Sequence, residues 1–243
     1  PKLAYIESLY SERFRDLKHY EGFQIIGSKA LESRNTLISP DVAICEDCLR
    51  ELFDPADRRH GYAFINCTNC GPRFSIIKDV PYDRAKTTMA AFPMCEDCAA
   101  EYGDIEDRRY HAQPDCCSLC GPQLCYLDGE GQPVEGDPIE LAAKALHEGK
   151  IVAVKGLGGI HLACRCDDEA VVSRLRSRKL RDEKPFALMC RDMDAVKRFC
   201  KVSAEEEAAL TSHRRPIVLL EKKDKGSFSY LSDNSSIGVM LPY

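Results

Sequence analysis

Cys45-Glu-Asp-Cys48, eighteen residues, then Cys67-Thr-Asn-Cys70-Gly71-Pro72; fifty residues further on, Cys95-Glu-Asp-Cys98, eighteen residues, then Cys117-Ser-Leu-Cys120-Gly121-Pro122. Each stretch is a C-x2-C-x18-C-x2-C unit, Asp57-Arg58-Arg59 in the first recurs as Asp107-Arg108-Arg109 in the second, and 24 residues separate the two. Copies with the same internal spacing mark one structural module used twice. A C-x-x-C pair places two thiolates about one tetrahedral edge apart, and two pairs close a four-sulfur shell. Zn²⁺ accepts that shell at ~2.3 Å per sulfur with no position left for water, so the expected ions are structural rather than catalytic. The ligands expected are Cys45, Cys48, Cys67 and Cys70 for one ion, and Cys95, Cys98, Cys117 and Cys120 for the other. Unfolded thiols hold no preformed site, so each ion should contribute much of its own module's folding free energy. On that reading Cys67→Ser loosens the first module and leaves Cys95–Cys120 loaded.

Four thiolates also serve an iron–sulfur centre. A redox C-x-x-C or a disulfide fits less well, because redox motifs normally come singly beside a βαβ unit and here four pairs lie in register. Cys116 and Cys125 flank the second set and read as bystanders, although Cys116 could replace Cys117 in the shell. His60 and His111 would ligate only if a thiol dropped out.

The surrounding composition agrees with metal ligation. The chain has 243 residues and 14 cysteines. Its first twenty residues carry no signal-peptide apolar core, so a cytoplasmic setting is expected and metal is favoured over disulfides. With 34 Lys+Arg against 39 Asp+Glu the formal charge is −5, which argues against a protein that coats nucleic acid. No apolar run approaches the ~18 residues of a membrane span, so no membrane partner is expected.

Outward from the cysteines, residues 1–38 read as the tail of another domain or as a linker: two short strand-like runs, around Leu3-Tyr5-Ile6 and Phe23-Ile25-Ile26, flank a charged stretch. Residues 126–137, rich in Gly, Pro and acid, read as a linker between the cysteine region (39–125) and an α/β region (138–243). In the latter, Ile139 to His147 has helical spacing with Gly149 placed to end it. Ile151 to Val154 is a strand, and Asp167 or Asp168 caps a helix to about Leu180 that buries Ala170, Val171, Val172 and Leu175. Phe186 to Met189 is a strand and Asp192 to Cys200 a helix. Ser203 with Glu206 forms a capping box opening another helix, and Ile217 to Leu220 and Ile237 to Leu241 are strands. Strands alternating with helices predict an α/β domain, and the chain reads as cut straight after its last strand.

Lys155-Gly156-Leu157-Gly158-Gly159-Ile160-His161 follows a buried strand. A turn of this kind exposes backbone N–H groups to an anion, and a cation at its lip adds charge. It is neither a Walker A loop nor G-x-G-x-x-G, and a plain tight turn is the alternative. Arg174, Arg176, Arg178, Lys179, Arg181 and Lys184 crowd the next helix end. From there Arg178, Lys179 and Lys184 are expected to reach the same sheet edge as the glycine turn and form a phosphate site. Contact with RNA phosphates is the competing use, opposed by the net acidity and the missing aromatic stripe.

Cys45–Cys70 with its spacer Gly71-Pro-Arg-Phe-Ser-Ile-Ile, Pro81-Tyr-Asp-Arg, Thr87-Thr-Met-Ala, Phe92-Pro-Met-Cys95, His111-Ala-Gln-Pro and Cys117–Cys120 resembles the tandem zinc-finger region of the HypF carbamoyltransferases of [NiFe]-hydrogenase maturation. Lys155 to Cys164, with Arg178-Lys179 and Lys184-Pro185-Phe186, resembles the YrdC-like domain that follows it there, a twisted mixed sheet with helices. Residues 1–28 resemble the end of an acylphosphatase-like domain. The resemblance implies that carbamoyl phosphate is hydrolysed, that carbamate reacts with ATP (with Mg) to give carbamoyl-adenylate, and that the carbamoyl group passes to the C-terminal cysteine of HypE as precursor of the cyanide ligands. By position it implies nucleotide or carbamoyl contacts at Lys155, Gly158, Gly159, His161, Arg178, Lys179 and Lys184. It leaves the catalytic residues unassigned, and without the acylphosphatase loop and the final transfer domain this polypeptide alone is not expected to complete the reaction. One departure is Arg165-Cys166 where the family usually has Asp-Ala. Two other readings compete: a threonylcarbamoyl-adenylate synthase of the YrdC type acting in tRNA modification, and a non-catalytic zinc-ribbon module binding protein or weakly binding RNA, including double-stranded RNA.

Overall fold

The computed structural model describes residues 6, 8–13, 39–156, 158–181 and 183–243. The expected acylphosphatase-like tail therefore lies almost wholly outside the described residues. The chain divides into two compact units, one containing residues 50–121 and the other residues 41–49 with 122–243.

The cysteine region has little regular structure. Two eight-residue helices, α1 (Glu46–Phe53) and α2 (Glu96–Gly103), each begin one residue after the first cysteine of a unit and carry its second on their first turn. Short 3₁₀ turns fill much of the rest, at Thr68–Cys70, Phe74–Ile76, Arg84–Lys86 and Thr88–Ala91. Isolated helices of eight residues are far too short to persist in water. They hold here because of what they pack against.

Each Gly-Pro corner has its own physical reason. Gly71 has φ 75°, the left-handed region that favours glycine. At Gly121 the requirement is space, since a Cβ there would stand 2.1 Å from the Tyr62 hydroxyl.

Residues 126–134 form a small hairpin: Leu127 bridges Pro133, and the Asp128 carboxylate accepts from the backbone N–H groups of Glu130 (2.9 Å) and Gln132 (2.8 Å). The polar composition read as a linker thus supplies a tight turn. Beyond it α3 (Pro138–His147) is capped by Asp137, which accepts from Ile139 and Glu140, and Gly149 follows with φ 73°. Strands β1 (Val152–Lys155) and β2 (Ile160–Ala163) pair antiparallel. Helix α4 (Glu169–Arg178) is capped by Asp168, α5 (Met193–Phe199) by Asp192, and α6 (Ala204–Thr211) by the Ser203/Glu206 capping box. A second sheet orders β3 (Leu188–Met189), β5 (Ser236–Met240) and β4 (Val218–Glu221), parallel on one side of β5 and antiparallel on the other. The α/β region is therefore a mixed-sheet fold.

Its core gathers Val172 of α4, Val196 of α5, Leu210 of α6, Leu220, Ile237 and Val239 of the three-stranded sheet, and the buried thiols Cys190 and Cys200. Val171, Val172 and Leu175 are the buried residues of α4, whereas Ala170 is exposed. Lys222 is buried as well, its ammonium donating to the carbonyls of Ser227 (3.1 Å) and Ser232 (3.0 Å). It pins the loop that leads into β5.

Candidate functional site

The eight repeat cysteines gather into two groups of four: Cys45, Cys48, Cys67 and Cys70, and Cys95, Cys98, Cys117 and Cys120, with ligand atoms in each group within 4.8 Å of one another. Individual spacings are tighter. Cys67 and Cys70 lie 3.8 Å apart, Cys95 and Cys117 3.7 Å, Cys117 and Cys120 3.8 Å, and Cys98 and Cys120 3.6 Å. A tetrahedral ion with ~2.3 Å bonds to sulfur holds its ligands roughly 3.8 Å apart. The spacing is thus that of a single tetrahedral ion; an iron–sulfur cluster, with several metal atoms inside the shell, would hold the thiolates wider. None of the 14 cysteines forms a disulfide. The two groups fit two structural zinc ions.

The remaining candidates fall outside these groups. Cys116 is buried with its thiol 3.3 Å from the Tyr62 hydroxyl, and Cys125 is exposed. The His111 ring packs between Tyr102 and Tyr110, with centroids 4.7 and 4.5 Å away.

Both repeated Asp-Arg-Arg triplets point across to the other repeat. Asp57 and Asp107 accept the backbone N–H of Arg59 and Arg109, in each case two residues on, and so set the turn that presents the arginines. Arg58 and Arg59 reach Glu101 on α2, each at 2.5 Å, and both also donate to the Cys98 sulfur, at 3.2 and 3.5 Å. Arg108 reaches Glu51 on α1 at 2.7 Å, and Arg109 pairs with the same carboxylate. Asp115, fully buried, accepts from Arg59 at 3.0 Å and lies 3.6 Å from Arg109. Burial pushes Asp115 up to about 6. Burial acts on Glu101 in the same direction, but the bonds from Arg59 and Arg58 outweigh it and hold Glu101 at about 2. Cys95 is drawn down to about 7 by the backbone N–H of Cys98, whereas burial pushes the Cys98 thiol up. The Asp-Arg-Arg repeat was visible in the sequence, but its acidic partners were not singled out. The signal available was Glu51 and Glu101, each three residues after a cysteine, hence on the same helix face.

In the α/β region, Lys155 ends β1 and pairs in register with Ile160, and the Gly156 N–H donates to the Gly159 carbonyl at 2.8 Å. The glycine segment is therefore a hairpin turn. Its second strand, β2, was not among the predicted strands, although Ile160 and Leu162 alternate as a strand would. Lys155, Gly158, Gly159 and His161 are exposed, and a Cβ placed on Gly158 or Gly159 would meet nothing within 4 Å.

The basic segment divides into two kinds of residue. Arg176 donates to the carbonyls of Arg181, Lys184 and Tyr230, and Arg176 and Arg181 stack 4.6 and 5.1 Å from the Phe186 ring centroid. Those two arginines are structural. Arg178, Lys179 and Lys184 are exposed at the end of α4 and in the passage to β3. The expected convergence on one sheet edge is not formed among the described residues: β1 and β2 make their own two-stranded sheet, and the basic segment leads into the other. The physical reason is the hairpin, which turns the chain straight back instead of launching a helix. Nor do these residues line the cleft of about 330 Å³ beside Arg176, whose walls carry Glu169, Glu183 and Asp233 and so do not favour phosphate. At the departure from the resembled pattern, Arg165 chelates Asp167 (2.7 and 2.8 Å) and donates to the His147 carbonyl (3.0 Å), closing the loop after β2.

Two four-thiol finger modules and a mixed-sheet α/β region of the YrdC type define the class of protein. Comparison with known proteins agrees. The HypF finger model matches residues 44–77 and 94–127, and the Sua5/YciO/YrdC model, described as telomere recombination, matches residues 144–243. Carbamoyltransferase HypF2 of Cupriavidus necator is 51% identical over 248 residues, covering 100% of this chain and 31% of the relative; carbamoyltransferase HypF of Rhodobacter capsulatus is 51% identical over 223 residues, covering 92% and 30%. Among solved structures, full-length HypF in its phosphate- and nucleotide-bound form superposes with a TM-score of 0.78 at 57% identity, over 85% of this chain and 27% of that one. HypF of T. kodakarensis superposes at 0.82 with 54% identity, over 87% and 28%. The chain belongs to the HypF family, and it spans about three-tenths of the length of the relatives it matches.

Proposed function

We propose that this chain is the finger and YrdC-like portion of a HypF-type carbamoyltransferase, with residues 39–125 as the tandem zinc-finger domain, 126–137 as the connection and 138–243 as part of the YrdC-like domain. Residues 1–38 then belong to the end of an acylphosphatase-like domain. Cys45, Cys48, Cys67 and Cys70 hold one zinc, and Cys95, Cys98, Cys117 and Cys120 the other; both ions are structural, because a closed four-sulfur shell leaves no position for water. The YrdC-like portion takes ATP with Mg and carbamate, derived from carbamoyl phosphate, toward carbamoyl-adenylate. The whole protein delivers the carbamoyl group to a HypE-type acceptor in the cytoplasm.

The observation that carries this reading is the likeness of about half of all residues, along the full chain, to proteins named HypF carbamoyltransferases. The bound nucleotide and phosphate named for one of the similar structures support the ligand class. Within this chain, the exposed Gly158 and Gly159 leave their backbone open to close approach, with Lys155 and His161 on the flanking strands. Arg178, Lys179 and Lys184 supply further exposed cations. Adenylation draws negative charge onto the phosphates, which backbone N–H groups and cations stabilise.

Lys155→Ala in the full-length protein tests the site. It is expected to weaken ATP binding about tenfold or more, as loss of a charge-assisted phosphate contact should, with two zinc ions retained. Equal nucleotide affinity in variant and parent would remove Lys155 from the site.

A further inference from the structure

The two fingers are joined by a reciprocal exchange. The 50-residue period relates Glu51 to Glu101, Arg58 to Arg108 and Arg59 to Arg109. The first repeat's arginines hold the second repeat's glutamate, and the second repeat's arginines hold the first's. This is the pairing rule of a two-fold interface, in which residue i meets j and j meets i, here formed within one chain. Asp115 lies between Arg59 and Arg109 and serves both sides. No acid occupies the matching place in the first repeat, where Ile65 stands.

Charge decides what this exchange does. Guanidinium groups do not deprotonate in proteins, and Arg58, Arg59, Arg108 and Arg109 are matched by Glu51, Glu101 and Asp115, with Asp97 also 3.8 Å from Arg58. Arg59 and Arg109 are almost wholly buried, at 2% and 4% exposure, where an unbalanced charge is costly. A thiolate shell adds to this: four thiolates around a divalent ion carry two net negative charges, and Arg58 and Arg59 donate directly to the Cys98 sulfur. Arg58 and Arg59 of the first repeat thus reach a cysteine of the second.

We propose that the two fingers load zinc as one coupled unit, with Arg58 and Arg59 of the first finger acting as positioning residues for the zinc shell of the second. The proposal rests on the zinc reading given above. It replaces the expectation that Cys67→Ser simply leaves Cys95–Cys120 loaded: disturbing the first finger should loosen the second.

The test is Arg58→Gln in the full chain, a side chain 30% exposed and so less hazardous to the fold than Arg59. Cobalt(II) is substituted for zinc, its thiolate charge-transfer band is followed during titration with a chelator, and alkylation with peptide mapping identifies which thiols become free. The parent should release both ions in one transition. Arg58→Gln should still hold two ions at saturation, but with the affinity of the Cys95, Cys98, Cys117 and Cys120 set lowered about 10- to 100-fold, the usual effect of losing a group that supports a metal ligand. If Arg58→Gln does not fold at saturating metal, Arg58→Lys, which keeps the charge and loses the fork, should shift the same set by a smaller factor. Alkylation of that set no earlier than in the parent, or a loss confined to the other set, would overturn the coupling. A parent chain showing no cobalt–thiolate band would instead overturn the zinc reading.

Discussion

Glu101 shows how much one side chain does in this protein. Its carboxylate receives two buried or half-buried guanidiniums, and removing its charge leaves Arg59, which has little access to water, sharing Asp115 with Arg109. Breaking one partner of such a pair is far more damaging than replacing the pair together. Glu101→Gln should therefore destabilise the zinc-loaded finger region by about 3 kcal/mol, measured by denaturant unfolding at saturating zinc; a change within about 0.5 kcal/mol, the scale of an ordinary surface substitution, would show that the ion pair is energetically idle. The cysteines were legible at this scale because ligand chemistry restricts both residue type and spacing. Glu101 was not, because nothing in a helical glutamate announces a partner more than forty residues away in sequence.

At the scale of elements, the α/β region follows its local signals closely. Asp137, Asp168, Asp192 and Ser203 each cap the helix that follows them, and the apolar spacing of α4 places Val171, Val172 and Leu175 inside. The Asp168 carboxylate accepts from Ala170 at 3.0 Å and Val171 at 3.3 Å. Asp168→Ala should cost about 1 kcal/mol, the usual value of an N-cap, and Asp168→Ser should restore most of it; equal melting curves for all three chains would show that the cap is dispensable. Strand β2 escaped the reading because a lysine followed by glycines also fits an anion-binding turn. Only the Gly156–Gly159 hydrogen bond and the β1 register reveal the hairpin. The basic segment shows the same limit: Arg176 and Arg181 are committed to carbonyls and a phenyl ring, a division that charge alone does not reveal.

At the scale of the whole molecule, the two regions draw on different sources of order. The α/β region has a continuous apolar core, whereas the buried residues of the cysteine region are mostly thiols and polar side chains such as Arg59, Arg109 and Asp115, with few large apolar ones. A zinc chelator should therefore remove hydrogen-exchange protection from α1 and α2 and leave the paired strands β4 and β5 protected, since binding energy in a structural zinc site is folding energy. Protection of α2 persisting in metal-free, reduced protein would show that the fingers fold without metal. Among the described residues no helix is long and apolar enough to cross a membrane.

The sequence by itself determined the two four-thiol shells, the helices that begin at capping residues and the alternation of strand and helix. Each of these is a short-range matter of ligand chemistry, cap and period. Tertiary structure alone decided that the Asp-Arg-Arg repeats would cross to the opposite helix, that Asp115 would serve both, and that the glycine turn and the basic segment would belong to different sheets. Those outcomes depend on which distant groups share a low-dielectric interior, where an unmatched charge is expensive, and no local pattern encodes that neighbourhood.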